Sequence, residues 1–166
     1  MSCGLAELGA AARVAIPSGR HYRANPLPRR AYVTETLAAE LTRTLDRFAA
    51  DAGFTNAKPV AVYFKPGVVG HHQVGRAADI YGVDGRGMDD WKADWDRASR
   101  SRRLDLERRR NLGWRLYKAL QNHGAWSKPD GYPVQLFGPW TRSEGPWRSI
   151  SDALLFAHRD HIHVAK

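Results

Sequence analysis

Two short segments, far apart in the chain, contain side chains that together could hold one metal ion. His72 and Asp79 are separated by six residues, and His161 and His163 lie near the end of the chain. Two imidazoles and one carboxylate are typical of a catalytic zinc site, because structural zinc sites are normally closed by four protein ligands. Three ligands leave one coordination position for water, whose pKa zinc lowers to about 7. The spacing therefore predicts hydrolytic chemistry.

The C-terminal pair gains a geometric meaning if residues 161–164 form a strand. Side chains alternate between the two faces of a strand, so His161 and His163 would share one face. Ile162 and Val164 would then point to the opposite face, where a core can bury them. Two histidines on one face and two apolar residues on the other predict a strand that lines a cleft.

The segment around Asp79 has the same character. A strand over residues 77–81 would place Ala78 and Ile80 behind the carboxylate, in the core. Gly75 lies between the two proposed ligands, where the chain must turn so that both face one point. A glycine removes the steric limit on such a turn. The alternative for this position is an ordinary loop glycine.

The elements that position these segments follow from periodicity and turn residues. Residues 34–52 carry apolar side chains at helical spacing, with Thr34 as the predicted N-cap and Gly53 as the stop. Prolines break residues 1–30, which are predicted to be irregular. The other predicted elements are strands over residues 60–64, 77–81, 132–137 and 161–164, and helices within residues 88–123. This order predicts an α+β fold, in which helices flank a small, mainly antiparallel sheet that carries the metal site.

Length and composition predict one globular, soluble domain over residues 1–166. The chain is 43% hydrophobic and 26% charged, and its longest apolar stretches are too short to span a membrane. The N-terminal residues lack the pattern of a signal peptide, which leaves the compartment open. The single cysteine, Cys3, excludes an internal disulfide and a cysteine-rich zinc site.

The charge balance indicates an anionic partner. The formal net charge is +9, which favours association with nucleic acid or with a bacterial envelope polymer that carries phosphates and carboxylates. Arginines are concentrated between residues 97 and 110, where Asp105 and Glu107 are interspersed. A solvated helical face explains this run better than a binding patch does.

The motifs resemble those of a known family. The run from His72 to Asp79 matches the pattern H-x-x-G-x-A-x-D of the zinc D-Ala-D-Ala carboxypeptidases and phage L-Ala-D-Glu endopeptidases, within the lysostaphin and hedgehog fold group. The ending from Asp160 to His163 is similar to the second motif of that group. The resemblance implies one Zn²⁺ ion bound by His72, Asp79 and His163. It also implies cleavage of peptidoglycan stem peptides, in the cell envelope, outside the cell or by a phage-encoded lysin.

Two residues are candidates for the general base. In the carboxypeptidases an acidic residue stands three positions before the last ligand, and Asp160 holds that place. In the lysostaphin-like branch the first histidine of the His-x-His motif has this role or steadies the oxyanion, and His161 holds that place. Strict alternation along a strand favours His161, whereas a bend before it would favour Asp160. Both alternatives stay open, with Asp160 slightly ahead because its spacing matches the closer motif.

Two departures from the family pattern motivate other functions. Gly70 stands where the family usually has serine, and Lys65 stands where it has an arginine that polarises the scissile carbonyl. Lysine carries the charge but lacks the bidentate fork of arginine. One alternative is therefore a non-catalytic, metal-containing module that binds the cell wall. A basic nucleic-acid-binding domain is less expected, since no nucleic-acid motif is present.

Further histidines and aromatic residues surround these motifs. His71 is predicted to lie at the rim of the site. His158 is predicted to be a surface or loop histidine, with membership of the site as the alternative. Most of the aromatic residues are predicted to lie in the core. Trp140 and Trp147 follow Gly-Pro pairs shortly before the second motif, so among the aromatic residues they are the best candidates for lining a substrate groove.

Overall fold

A computed structural model describes most of the chain, in separate stretches, as alternating helices and strands. The described residues are 12–14, 34–54, 59–63, 71–72, 76–99, 109–123, 135–144 and 149–165. Along the chain the elements are β1 (Ala12–Val14), α1 (Glu35–Ala52), β2 (Val60–Tyr63), β3 (Ala77–Val83), β4 (Arg86–Gly87), α2 (Met88–Ser99), α3 (Leu112–Asn122), β5 (Gln135–Phe137), α4 (Thr141–Glu144), α5 (Asp152–Ala157) and β6 (Ile162–Ala165). The predicted α+β class is confirmed.

Helix α1 begins and ends where the sequence predicted. The hydroxyl of Thr34 accepts a hydrogen bond from the backbone N–H of Leu37 at 3.3 Å, which satisfies one of the free donors of the first turn. Gly53 ends the helix in the left-handed region, at φ 76°, where a residue without a Cβ is favoured. The side chains that α1 buries are Leu37, Leu41, Leu45, Phe48 and Ala49.

The sheet has six strands and is mainly antiparallel, as predicted. Its strand order is β1-β2-β3-β6-β5, and β4 pairs with β3. The β1–β2 pair is parallel, and the other pairs are antiparallel. Ala12–Val14 forms β1 within the segment that was predicted to be irregular. A strand of three residues carries too little alternation to be recognised, and its partner β2 lies far along the chain.

The register of the three adjacent strands β3, β6 and β5 gives the sheet two different faces. Asp79 pairs with His163 across β3 and β6, and His163 pairs with Phe137 across β6 and β5. These three side chains therefore form one row on one face. The flanking residues on the opposite face belong to the hydrophobic core: Ala78, Ile80, Leu136, Ile162 and Val164. The predicted alternation is confirmed for Asp79 and His163 and for the apolar residues beside them. The second motif strand begins one residue later than predicted, at Ile162, so His161 lies just before it.

Helices cover the apolar face of the sheet, and one of the predicted groove residues is buried there. Trp140 is fully buried, and its ring lies 6.1 Å from that of Tyr117 on α3. The prediction that Trp140 lines a substrate groove is therefore wrong, because an aromatic of this size fills the core instead.

Among the described residues, none of the helices has both the length and the apolar character that a membrane span requires.

Candidate metal centre

The structure brings the three predicted metal ligands together on the polar face of the sheet. His72 lies in a turn before β3, Asp79 on β3 and His163 on β6. Each residue offers one ligand atom, and these three atoms lie within 4.8 Å of one another. Asp79 and His163 are buried, and His72 is half-buried. Two imidazoles and a carboxylate converging at this spacing could bind a metal ion.

Asp79 is the centre of this group. Its Oδ1 atom lies 2.9 Å from Nδ1 of His163 and 3.3 Å from Nε2 of His72. Burial alone would raise the pKa of Asp79, but these two contacts and the nearby His161 outweigh burial and hold the pKa well below its usual range. The carboxyl group is therefore ionised, which is the form that binds a cation.

His163 has a polar partner at each ring nitrogen. Its Nδ1 atom faces the carboxylate of Asp79 at 2.9 Å, and its Nε2 atom lies 3.2 Å from Oε1 of Gln135 on β5. Without an ion, Nδ1–H donates to the carboxylate, which only accepts; with an ion bound at Nδ1, the proton would be on Nε2, where the amide oxygen of Gln135 accepts it. Burial lowers the pKa of His163 despite the neighbouring carboxylate, so the ring is neutral as a ligand must be. A partner that orients a ligating imidazole in this way is typical of metal sites.

Sequence reasoning did not identify Gln135. It lies two positions before Phe137 on β5, and β5 pairs with β6, so its side chain is on the same face as His163. Side chains alternate between the two faces of a strand, so the sequence alone already placed Gln135 on the same face as Phe137. However, the strand order that makes β5 the neighbour of β6 comes from long-range pairing, which no local pattern encodes.

His161 lies next to the three ligands and is held by two contacts. Its Nε2 atom is 3.7 Å from Oδ1 of Asp79, and its Nδ1 atom is 2.8 Å from Oδ1 of Asp160. A carboxylate only accepts hydrogen bonds, so Nδ1–H donates to Asp160, and in the neutral ring Nε2 carries the lone pair. The ring of Tyr81 stacks on His161, with centroids 4.9 Å apart.

An irregularity in the sheet places Tyr81 in this position. The pairing of β2 with β3 shifts register between Ala61 and Val62. Ala61 pairs with Gly82, and the next residue, Val62, pairs with Ile80. Tyr81 is therefore the extra residue of a β-bulge, a feature that re-aims a side chain. The sequence predicted only that Tyr81 follows Asp79 on the same face.

The two candidate general bases occupy different places. The chain bends over residues 158–161 before β6 begins at Ile162. Asp160 lies in this bend with its side chain 52% exposed, and its carboxylate contacts Nδ1 of His161. This hydrogen bond from His161 is the main reason why the pKa of Asp160 is lowered. His161 thus adjoins the ligands directly, and Asp160 lies behind it.

A further histidine, His158, packs against the site. Its ring centroid is 5.0 Å from that of His161 and 5.1 Å from that of His163. Burial lowers the pKa of His158. The sequence favoured a surface or loop position, since nothing local indicates that the end of α5 folds against β6.

Other predictions concern the surroundings of the site. His71 precedes His72 in the turn, and its carbonyl accepts a hydrogen bond from the N–H of Arg76 at 2.8 Å. His71 is half-buried and is not among the three clustered ligands. The predictions about Lys65, Gly70, Gly75 and Trp147 lie outside the described residues.

The geometry of this centre follows from the contacts of its side chains and from the pairing of the strands that carry them. Three possible ligand atoms converge, His163 contacts the amide of Gln135, and His161 contacts the carboxylate of Asp160. Comparison with protein-family models, with curated proteins and with solved structures found no match to this chain.

Proposed function

We propose that this protein is a zinc-dependent peptidase that hydrolyses peptide bonds in the stem peptides of bacterial peptidoglycan. The observation that carries the proposal is the convergence of His72, Asp79 and His163 within 4.8 Å, with His161 beside them. Two further considerations support it. The motifs that hold these residues resemble those of the zinc D-Ala-D-Ala carboxypeptidases and phage endopeptidases, and the net charge of +9 favours adsorption to an anionic wall.

Zinc is the ion that the donor set suits best. Imidazole nitrogens with a single carboxylate favour zinc over calcium or magnesium, which prefer oxygen ligands. Three protein ligands are the number found in catalytic zinc sites. Bound there, zinc would activate a water molecule at neutral pH and polarise the scissile carbonyl.

His161 is the proposed general base. Because Nδ1–H donates to Asp160, Nε2 carries the lone pair in the neutral ring and would take a proton from the attacking water. The same nitrogen then returns that proton to the leaving amine. Asp160 keeps the imidazole in the required tautomer and stabilises its protonated form, as a carboxylate does behind the histidine of a catalytic triad. Asp160 therefore acts as a positioning residue.

The fold assignment is part of the same proposal. We assign the chain to the lysostaphin and hedgehog fold group because its two resembling motifs, although distant in sequence, meet on adjacent antiparallel strands. Asp79 and His163 are 84 residues apart and directly opposite each other in the sheet. A protein of this kind would act in the cell envelope, outside the cell or as part of a phage lysin.

Zymography on purified peptidoglycan tests the proposal. We expect peptide release from the zinc-restored protein, none from the metal-stripped protein, and none from His163→Ala. His71→Ala is the matched control, because His71 shares the turn of His72 without belonging to the ligand cluster; it should stay active. Zinc binding without peptide release in any preparation would contradict the peptidase and favour a non-catalytic wall-binding module.

A further inference from the structure

His158 lies at the candidate metal centre and has no part in the chemistry proposed above. Its ring is within 5.1 Å of that of the ligand His163 and 5.0 Å from that of the proposed base, His161. Phe137 closes a third side, with ring centroids 5.3 Å apart. The ring of His158 thus has three neighbouring rings at the site, which distinguishes it from an ordinary surface histidine.

One hydrogen bond determines which nitrogen of His158 is free. Its Nδ1 atom lies 2.7 Å from the carbonyl oxygen of Leu154, in the last turn of α5. A carbonyl oxygen only accepts, so Nδ1 carries the proton, and in the neutral ring Nε2 carries the lone pair. Among the described residues, none forms a hydrogen bond with Nε2, and Nε2 is not one of the buried polar atoms that lack a partner. Nε2 is therefore an acceptor that solvent or a bound molecule can reach.

The proposed ligand atoms and the proposed base already have roles. His72, Asp79 and His163 face one another as ligands, and Nε2 of His161 is the proposed proton acceptor. An acceptor nitrogen without a protein partner at such a site is able to accept a hydrogen bond from an N–H or O–H group of a bound molecule. A peptide substrate carries an N–H at every residue other than proline, within one bond of the carbonyl that must approach the ion.

We propose that Nε2 of His158 accepts a hydrogen bond from a backbone N–H of the bound peptide, next to the carbonyl under attack. This inference rests on the proposed function and deepens it. It makes His158 a specificity-determining residue, which favours ligands that carry an N–H beside the group that binds the ion. Ligands with the same metal-binding atoms but no N–H lose this contact.

A pair of hydroxamates measures this preference without any catalytic turnover. Acetohydroxamate and N-methylacetohydroxamate bind zinc through the same two oxygen atoms, but only the first has an N–H. Their affinities for the zinc-loaded protein, measured by titration calorimetry, give a ratio for the wild type and for His158→Gln, His158→Asn and His158→Phe. Gln offers an acceptor near the position of Nε2, Asn can replace only the bond to Leu154, and Phe offers neither.

The expected result is a loss of discrimination that only Gln avoids. A single hydrogen bond corresponds to roughly a tenfold ratio. We expect that ratio to fall by about tenfold in the Phe and Asn variants and to be largely kept in the Gln variant, with zinc still bound in all three. An Asn variant that keeps the ratio while Gln loses it would mean that the ring only anchors α5, and would overturn the proposal. The same ratio in Phe as in the wild type would also overturn it.

The failure of the proposed function gives a different pattern. If the wild type discriminates between the two hydroxamates through His158 but releases no peptide from peptidoglycan, the acceptor stands and the peptidase is refuted. If the wild type releases peptide and the hydroxamate ratio is the same in all four proteins, the peptidase stands and the acceptor is refuted. Absence of any zinc-dependent hydroxamate binding would refute the acceptor.

Discussion

At the scale of single residues, the site is defined by which nitrogen of each imidazole is occupied. Gln135 engages Nε2 of His163, Asp160 engages Nδ1 of His161, and the carbonyl of Leu154 engages Nδ1 of His158. A partner that only accepts fixes a ring proton on the nitrogen that it faces, so in a neutral ring the lone pair lies on the other nitrogen. For His161 and His158 that nitrogen is Nε2. His163 also faces the carboxylate of Asp79 through Nδ1, so its lone pair would lie on Nδ1 only when that atom binds an ion.

Gln135 should therefore tune the affinity of the ion. Gln135→Met keeps the approximate length and shape of the side chain but removes the acceptor for Nε2–H of His163. We expect zinc affinity to fall about 10- to 100-fold, the usual range for losing a partner of a ligating histidine. Competition with a chromophoric chelator measures it. Gln121→Met, at a buried glutamine on α3, is the control, and an equal loss there would contradict the assigned role.

The two candidate bases can be separated by their variants. His161→Ala should reduce peptide hydrolysis by roughly 100-fold or more, the contribution typical of a general base. Asp160→Asn should reduce it less, since the carboxylate acts through the ring and its side chain is 52% exposed. Both variants should keep zinc, as a metal assay would verify. If Asp160→Asn is the more damaging change, the carboxylate itself is the base.

The residues that sequence could identify are those whose roles follow from chemical type and spacing. His72, Asp79 and His163 carried both signals, and the structure brings them together. Gln135 and His158 carried neither. Their roles depend on which strands and helix ends become neighbours, and that is decided by long-range pairing rather than by a local pattern.

At the scale of elements, close packing between α2 and α3 supports the sheet from its apolar side. A Cβ on Gly113 would lie 2.6 Å from Cβ of Trp91 and 2.7 Å from Cη2 of Trp140. Neither atom can move easily, since the first is next to the backbone and the second belongs to a fully buried ring. Gly113 is therefore required by the approach of the two helices and not by its backbone angles.

Gly113→Ala should consequently destabilise the protein, although alanine is the better helix former. Helix propensity alone would stabilise it by about 1 kcal/mol, whereas overpacking costs about 1–3 kcal/mol. We expect a net loss in the free energy of unfolding, measured by urea denaturation. Asn122→Ala, at the exposed end of the same helix, controls for propensity. A Gly113→Ala variant more stable than the wild type would show that α2 and α3 are not in close contact.

An ion-pair cluster connects β4 to α2 and makes a pH-dependent contribution. Burial alone would raise the pKa of Asp94, but hydrogen bonds from Arg86 and Arg97 outweigh it and lower the pKa. A lowered pKa stabilises the fold at pH values above the unfolded pKa of about 3.9, and this contribution is lost as the pH falls through the folded value. Because these side chains are partly exposed, the gain is at most about 1 kcal/mol.

Asp94→Asn should therefore lower stability near neutral pH and have little effect in strong acid. We expect a loss of about 0.5–1 kcal/mol at pH 7, shrinking towards zero near pH 2, from urea denaturation at both values. Asp84→Asn makes the same chemical change in an exposed turn, where asparagine tolerates the left-handed conformation. If Asp94→Asn changes the free energy of unfolding by the same amount at both pH values, the stabilisation by Asp94 does not come from its charge.

The elements that sequence predicted are those with local signals. Helix α1 had a periodic apolar face with a cap at each end, and the motif strands had alternating faces. Strand β1 had neither and owes its conformation to pairing with β2. Helix α5 buries no side chain completely, so it lacks the amphipathic pattern that reveals most helices.

At the scale of the whole molecule, two segments that are distant in sequence meet at one candidate metal site. Asp79 and His163 are opposite each other in the sheet, so the fold that buries Ile80 and Ile162 also assembles the ligands. An ion that binds only the folded chain stabilises it by mass action, by about 2.7 kcal/mol at a hundredfold excess over Kd. Zinc should thus raise the thermal unfolding temperature of the wild type.

The most direct measurement is the zinc content of the purified protein and of three variants, determined by mass spectrometry after equilibration with zinc and removal of the free ion. We predict one ion per wild-type chain, and loss of that ion in His72→Ala, Asp79→Asn and His163→Ala, with His71→Ala unchanged. A folded wild type that retains no zinc would contradict the account. So would variants that keep the full content, because the ion would then be held elsewhere.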